Sequence, residues 1–560
     1  MKKCLKYLAV VAGLAGCVLL GSAANNNLYN LGKNVEILVN MMRTINLFYV
    51  DDVEPDKIMD AAAEGMTKIL DPYTEYFSAE DMEAFEVMTT GKYGGVGSII
   101  RLQGDYVEFN APYKGSPAHR AGIRPGDIIL EIDGQDAKGM TTQEVSDRLK
   151  GDPGTSVRLT IGKFPTGRPQ RIRLTRERIA IPGVPYHAML NETVGYILHS
   201  DFTEGCATEL LRAYKDLENK GMKTLILDYR NNTGGILQEA VSILSYFLPA
   251  GSEVVSTRSA KSHNENSKFV TENPPIAPTI PIVVLVDNDT ASAAEIVAGA
   301  LQDNDRAVVV GTSRTYGKGL VQSTIPLGYD AYAKVTTSKY YLPSGRCIQA
   351  IDYGAHNTDG SVSTVPDSLI NEFHTKAGRK VYDGGGVMPD VRLNPQYIST
   401  FSVVVYAQGY IDNFLTDYCR KHYNELENNV SPTKFSLPES AYREFVEWMK
   451  GKEVAWVNMA NRYWEEFEKE AAREPWGESI KAEMESISKV LTKDTEDYLW
   501  MYKEDLAYII EQSIVKRYCF EEGYTAHTLP DDEEVKEAIA LLGDTARYNH
   551  ILTSQDTARK

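Results

Sequence analysis

Between residues 184 and 394 short apolar runs alternate with helix-forming runs, and this alternation restricts the fold more than any other feature of the chain. Val194-Gly195-Tyr196-Ile197-Leu198 reads as a strand, Ala207 to Asn219 as a helix, Lys223 to Asp228 as a strand and Leu237 to Leu248 as a helix. Ile282-Val283-Val284-Leu285-Val286 and Ala307-Val308-Val309-Val310 are further strands, with helix formers from Ala291 to Leu301 between them. Ala333 to Tyr341 is another. Strands and helices in such an order argue for a layered α/β core.

Two segments inside that core carry chemistry. Thr290-Ala291-Ser292-Ala293-Ala294-Glu295 sits between a strand and a helix, and Tyr316-Gly317-Lys318-Gly319 follows the next strand, with Gln322 close behind. A serine at the C-terminal edge of a sheet, on the first turn of a helix, is well placed to be a nucleophile. The lysine arriving from the next strand can serve as its base.

The flanking regions have other textures. Residues 27–90 read as helices, with Leu31, Val35, Leu38, Met42 and Ile45 at helical spacing, Asp71-Pro72 as a break and Ser78-Ala79-Glu80-Asp81 as a capped restart. Residues 91–178 hold short strands with turn glycines: Gly94-Gly95-Val96-Gly97, Gly126-Asp127 and Asp133-Gly134 mark them, with one amphipathic helix from Thr141 to Lys150 and a closing strand from Ser156 to Ile161. That spacing predicts a small β-rich module. Residues 395–560 read as a charged helical extension holding all five tryptophans, expected to fill its core.

The first 24 residues have the form of an export signal, with Lys2, Lys3 and Lys6 before an apolar stretch from Tyr7 to Ala24. Ser22-Ala23-Ala24 offers small residues for cleavage. Leu14-Ala15-Gly16-Cys17 resembles a bacterial lipoprotein box, and an uncleaved anchor stays open. All three readings place the body outside the cytoplasm, with the periplasmic side of a membrane favoured.

Composition excludes several classes. The net charge of −18 without a basic stripe argues against nucleic acid. Six scattered cysteines without a Cys-x-x-Cys pair, and nine histidines without a His-Glu-x-x-His pattern, give no metal or cofactor site. Gly311 to Gly319 mimics a phosphate loop, but Gly319 stands where Ser or Thr would bind magnesium. Ser486-Ile487-Ser488-Lys489 matches Ser-x-x-Lys in a charged helix and reads as surface.

The segment from Tyr49 to Leu393 resembles the carboxy-terminal processing peptidases, or tail-specific proteases. The likeness is carried by Leu70-Asp71-Pro72, the glycine pattern from Gly94 to Gly134, and Leu227-Asp228-Tyr229-Arg230-Asn231-Asn232-Thr233-Gly234-Gly235. It continues through the serine and lysine segments to Tyr340-Tyr341-Leu342-Pro343-Ser344-Gly345-Arg346 and Gly386-Val387-Met388-Pro389-Asp390. About thirty residues, Ile351 to Asp383, interrupt it as an insertion. The resemblance implies a PDZ domain (91–178) inserted into a ClpP/crotonase-like layered α/β protease core (179–394), with Ser292, Lys318 and Gln322 as catalytic residues. It also implies gating by the PDZ domain and pairing of two subunits through the N-terminal helices.

Residue chemistry fits these roles. A serine hydroxyl needs a base, and a lysine, with a pKa of ~10.4 in water, becomes one only where burial disfavours its ammonium form. Gln322 shares strand parity with Lys318, and Gly319 is the expected bend between them. Ala293 N–H at the helix start, with the Gly234-Gly235 loop, is the expected oxyanion hole. Gly95, Val96 and Gly97 are expected to receive the carboxylate of a protein or peptide substrate, whose backbone pairs with the following strand. Two other functions stand beside this expectation: an inert PDZ-bearing scaffold and an acyl hydrolase on the same dyad.

Overall fold

The computed structural model describes residues 28–79, 81, 90–259, 266–356, 362–491 and 493–553. The export signal expected for residues 1–24, Cys17 included, lies outside them. No helix among the described residues is long and apolar enough to cross a membrane.

The chain divides into two compact units. The first gathers the described residues before 82 with Gln322–Thr337. A helix over 28–48 is followed by the Pro55–Thr67 helix, with Pro55 at its start, where a missing N–H costs nothing. The Asp71-Pro72 break is a side-chain turn: the Asp71 carboxylate accepts the Tyr73 and Thr74 N–H groups at 2.8 Å each. It aims the Glu75–Phe77 strand, which pairs antiparallel with residues 332–334. Helical spacing predicts a buried stripe on the 28–48 helix. Leu38, Met42 and Ile45 are half-buried, but Leu31 and Val35 are exposed.

The second unit holds the rest. Its β-rich module orders the strands Ser98–Gln103, Tyr106–Pro112, Ile128–Ile132, Ser156–Lys163 and Arg168–Thr175. Val107, Phe109, Ile129, Val157 and Leu159 fill it, and Val145 and Leu149 of the Thr142–Leu149 helix close it. That helix starts where the sequence places it, because Thr141 and Glu144 form a reciprocal cap. Lys92–Gly95 pairs with Glu177–Ala180 as a two-stranded stem beneath the module.

The core sheet runs Tyr186–Met189, Val194–Leu198, Thr224–Asp228, Ile282–Val286, Val308–Gly311, Val391–Arg392, parallel from the second strand onward. Every residue of Ile282–Val286 and Val308–Gly311 is buried, as expected of strands covered on both faces. One face packs on the Cys206–Asn219, Leu237–Ser245 and Ala293–Asp303 helices. The other face packs Ile226, Val283, Leu285, Val308 and Val310 against Val535, Ala538, Leu541 and Tyr548. Residues near the end of the described chain therefore form the third layer of the core.

The remaining helices, from Thr400–Ala407 to Lys503–Thr528, build a separate aromatic core of Phe401, Phe414, Tyr442 and Phe445. Trp448 and Trp456 pack against it. Trp476 and Trp500 do not fit the expected role: they stay 46% and 37% exposed. These helices also grip the β-rich module. Asp412 pairs with Arg101 at 2.8 Å and with Arg517 at 2.6 Å, and Arg101 also reaches Glu108.

Candidate active site

Ser292 stands at the start of the Ala293–Asp303 helix with φ 56° and ψ −117°, a conformation a side chain rarely adopts. Strain of this kind is a property of nucleophile turns between a strand and a helix. Hydrogen bonds hold it. Thr290 Oγ1 donates to Tyr229 O at 2.9 Å, and Ala291 N–H donates to Asn232 O at 2.8 Å. The serine turn is thus tied on its upstream side to the Tyr229–Gly235 loop.

Gly234 lies against Ser292. A Cβ placed on Gly234 would fall 2.6 Å from Ser292 Cβ and 2.8 Å from Ala293 N, and its φ is +93°. Glycine is needed there on both counts. Ala293 N–H belongs to the first helical turn, whose amides lack intrahelical partners. The expected oxyanion residues Ala293 and Gly234 are therefore neighbours. Gly234 N–H, however, is donated to Asn232 Oδ1 at 2.8 Å, so in this state it is not offered to a substrate. Gly235 forms an isolated parallel bridge with Phe202.

Glu295 joins the serine to the lysine. Its Oε2 accepts Ser292 N–H at 2.8 Å and Lys318 N–H at 2.9 Å, and its Oε1 accepts Gly317 N–H at 2.7 Å and Thr315 Oγ1 at 2.5 Å. The carboxyl is fully buried, and burial pushes it up to about 7, against the pull of these donors. Sequence reasoning takes Glu295 only as part of the serine segment. The missed signal is a glutamate three residues after the serine, a pattern that also reads as an ordinary capping box.

Lys318 is half-buried, its main-chain oxygen accepting from the Tyr340 hydroxyl. Gly317, with φ +83°, sits where a Cβ would meet Ala350 Cβ at 2.5 Å. The expected strand parity of Lys318 and Gln322 does not hold, because the strand begins only at Leu320. Gly319 shows no positive φ and is instead crowded by Gln349 N. Gln322 belongs to the first unit, where its side-chain amide donates to Thr336 Oγ1 at 3.1 Å. The insertion after Gln349 folds as the hairpins Ile351–His356 with Val362–Thr364 and Glu372–His374 with Lys380–Tyr382. Its Arg379 is buried on Asp305 and Asp390 behind the serine helix.

In the β-rich module Gly95 ends the stem strand, and Val96 and Gly97 lead into Ser98–Gln103, an edge strand partnered on one side by Tyr106–Pro112. The carbonyls of Val96 and Gly97 accept from Ala118 N–H and Tyr113 N–H. Among the described residues no group of three or more His, Cys, Asp or Glu side chains is placed to hold a metal ion.

Comparison with known proteins adds the class. Residues 193–356 match peptidase family S41, residues 108–162 a PDZ domain, and residues 401–542 the C-terminal helical domain of probable PDZ-proteases. The carboxy-terminal-processing protease of Bartonella bacilliformis is 36% identical over 338 residues, spanning 60% of this chain and 77% of that protein. A probable CtpA-like serine protease of Staphylococcus aureus is 31% identical over 402 residues, spanning 71% of this chain and 76% of that protein. Among solved structures, the photosystem II D1 C-terminal processing protease is 26% identical with a TM-score of 0.35, spanning 65% of this chain and 93% of that one.

A PDZ domain on a layered α/β peptidase core makes this protein a PDZ-bearing serine protease. Within that class the chain belongs to peptidase family S41, with the carboxy-terminal-processing proteases.

Proposed function

We propose that the protein is an exported, membrane-associated endopeptidase that binds substrate C-termini on its PDZ domain and cleaves with a Ser292–Lys318 dyad. The observation that carries the dyad is the Glu295 carboxylate, one oxygen of which accepts the main-chain amides of both residues. Ser292 Oγ gives its proton to neutral Lys318 Nζ and attacks the scissile carbonyl. The oxyanion is met by Ala293 N–H and by the Gly234-Gly235 loop. Lys318 returns the proton to the leaving amine, and water then hydrolyses the acyl-enzyme.

Gly234 N–H must leave Asn232 Oδ1 before it can serve, which supports a resting state that substrate converts to an active one. Capture of the carboxylate at Gly95, Val96 and Gly97 raises the local concentration of the upstream peptide at Ser292. The exposed Leu31, Val35 and Val39 of the 28–48 helix support pairing with a second copy. The export signal supports a periplasmic location.

The test is cleavage of a peptide with a free C-terminus by the wild type, Ser292→Ala and Lys318→Ala. Both variants are expected to lose turnover, and an amidated C-terminus is expected to raise KM. Undiminished proteolysis by Ser292→Ala would remove the dyad.

A further inference from the structure

Arg230 opens the loop that ends at Gly234 and Gly235, and its guanidinium is held on two sides. Nε and Nη2 donate to Asp228, the latter at 2.6 Å. Nη1 donates to Asp532 and to Glu534 at 2.7 Å each, both from the segment that covers the far face of the sheet. The Arg230 side chain is only 16% exposed and that of Glu534 14%. The other oxygen of Asp532 caps the Glu533–Gly543 helix through Glu534 N–H and Val535 N–H. The cap fixes the distance between that helix and Arg230.

From Arg230 the chain of contacts runs to the serine. Asp228, fixed by the Tyr196 hydroxyl at 2.7 Å, accepts Arg230 N–H as well as its guanidinium. Asn231, with φ +59°, donates its N–H to the Asp287 carboxylate. Asn232 N–H donates to Tyr229 O, and Asn232 O receives Ala291 N–H, one residue before Ser292. Asn232 Oδ1 holds Gly234 N–H.

We propose that Asp532 and Glu534 are positioning residues of the protease site: they seat Arg230, and through it hold the Tyr229–Gly235 loop against Ser292. The C-terminal helical segment is then a working part of the catalytic apparatus. The proposal rests on Ser292 being the nucleophile.

The full-length protein carrying Asp532→Asn with Glu534→Gln tests it, beside wild type and Ser292→Ala, on a short peptide that does not engage the PDZ domain. A displaced loop lowers kcat while leaving the binding of a short peptide alone. The expected result is a kcat loss of about tenfold or more with KM within about twofold, and an equal slowing of Ser292 labelling by a fluorophosphonate. Glu534→Gln alone keeps the Asp532 cap and the side-chain volume, so it should fold even if the double variant does not. It is expected to lose about threefold or more in kcat at an unchanged melting temperature. Wild-type kcat in Glu534→Gln, or a loss appearing only as a lower melting temperature or a raised KM, overturns the proposal. Ser292→Ala separates the two levels: if it is dead while Glu534→Gln is normal, only the positioning role falls, and if it is active, the assignment of the nucleophile falls first.

Discussion

Glu295 shows how one side chain organises a site. Its two oxygens accept four donors, and a protonated carboxyl has to give one of them up. Glu295→Gln presents a donor where an acceptor is required, so kcat is expected to fall about 10–100-fold, the cost of a charge-assisted bond. The same group makes stability depend on pH. Its folded value, about 7, lies above the ordinary 4.5, so the folded state holds the proton more tightly than the unfolded one. Its contribution to stability is therefore fully present below about 4.5 and is lost as pH rises through about 7, a change of about 3 kcal/mol from this group. Urea unfolding of the wild type and Glu295→Gln at pH 5 and pH 8 measures this share, and the variant is expected to show a pH difference smaller by about that amount. Gly234→Ala is the second residue-scale case. Its Cβ would fall 2.6 Å from Ser292 Cβ, and a shift of the serine by about 1 Å costs on the order of a hundredfold in rate, readable as kcat on a short peptide. Ser292, Lys318 and the glycine loop could be put forward from the sequence because residue type and order single them out, and the structure sets Gly234 against Ser292. Glu295 was not, since a glutamate at that helix position is common and only the fold shows that Lys318 comes to it.

At the scale of elements, strands buried on both faces announce themselves as unbroken apolar runs, and the four inner strands of the core sheet were placed within a residue, whereas the edge strands Tyr186–Met189 and Val391–Arg392 were not singled out. Junctions were harder. The segment from Arg314 to Gly319 lies outside regular structure: the Gly317 and Lys318 amides go to the Glu295 side chain and that of Gly319 to Gln349, while those of Thr315 and Tyr316 go to the Val387 and Thr290 carbonyls, so no strand ladder forms. Parity arguments do not apply to such a segment. The junction between the PDZ domain and the helices turns on Asp412. Burial alone would raise its carboxyl, but Arg517 and Arg101 hold it below the ordinary value. Asp412→Ala leaves the almost fully buried Arg517 guanidinium without its carboxylate and Arg101 with Glu108 alone, and is expected to cost about 3–5 kcal/mol in urea unfolding. Limited proteolysis should then cut between the PDZ domain and the helices.

At the scale of the whole molecule, the helical extension divides into two parts. Helices between Thr400 and Thr528 form their own core, while the 529–548 stretch belongs to the protease sheet. Helical periodicity reports that a face is apolar but not which surface it will cover, so the sequence could only announce an appendage. Leu541, fully buried against the sheet, reports this contact: Leu541→Ala is expected to destabilise the protein by about 2–5 kcal/mol in a thermal or urea melt. A purely appended helix would leave the melting of the core unmoved. The third layer also sets an order of events in biosynthesis. Strands up to Gly311 leave the ribosome long before the helix that shields their outer surface. A nascent chain therefore carries Ser292 beside a half-dressed sheet until its synthesis has passed that late helix.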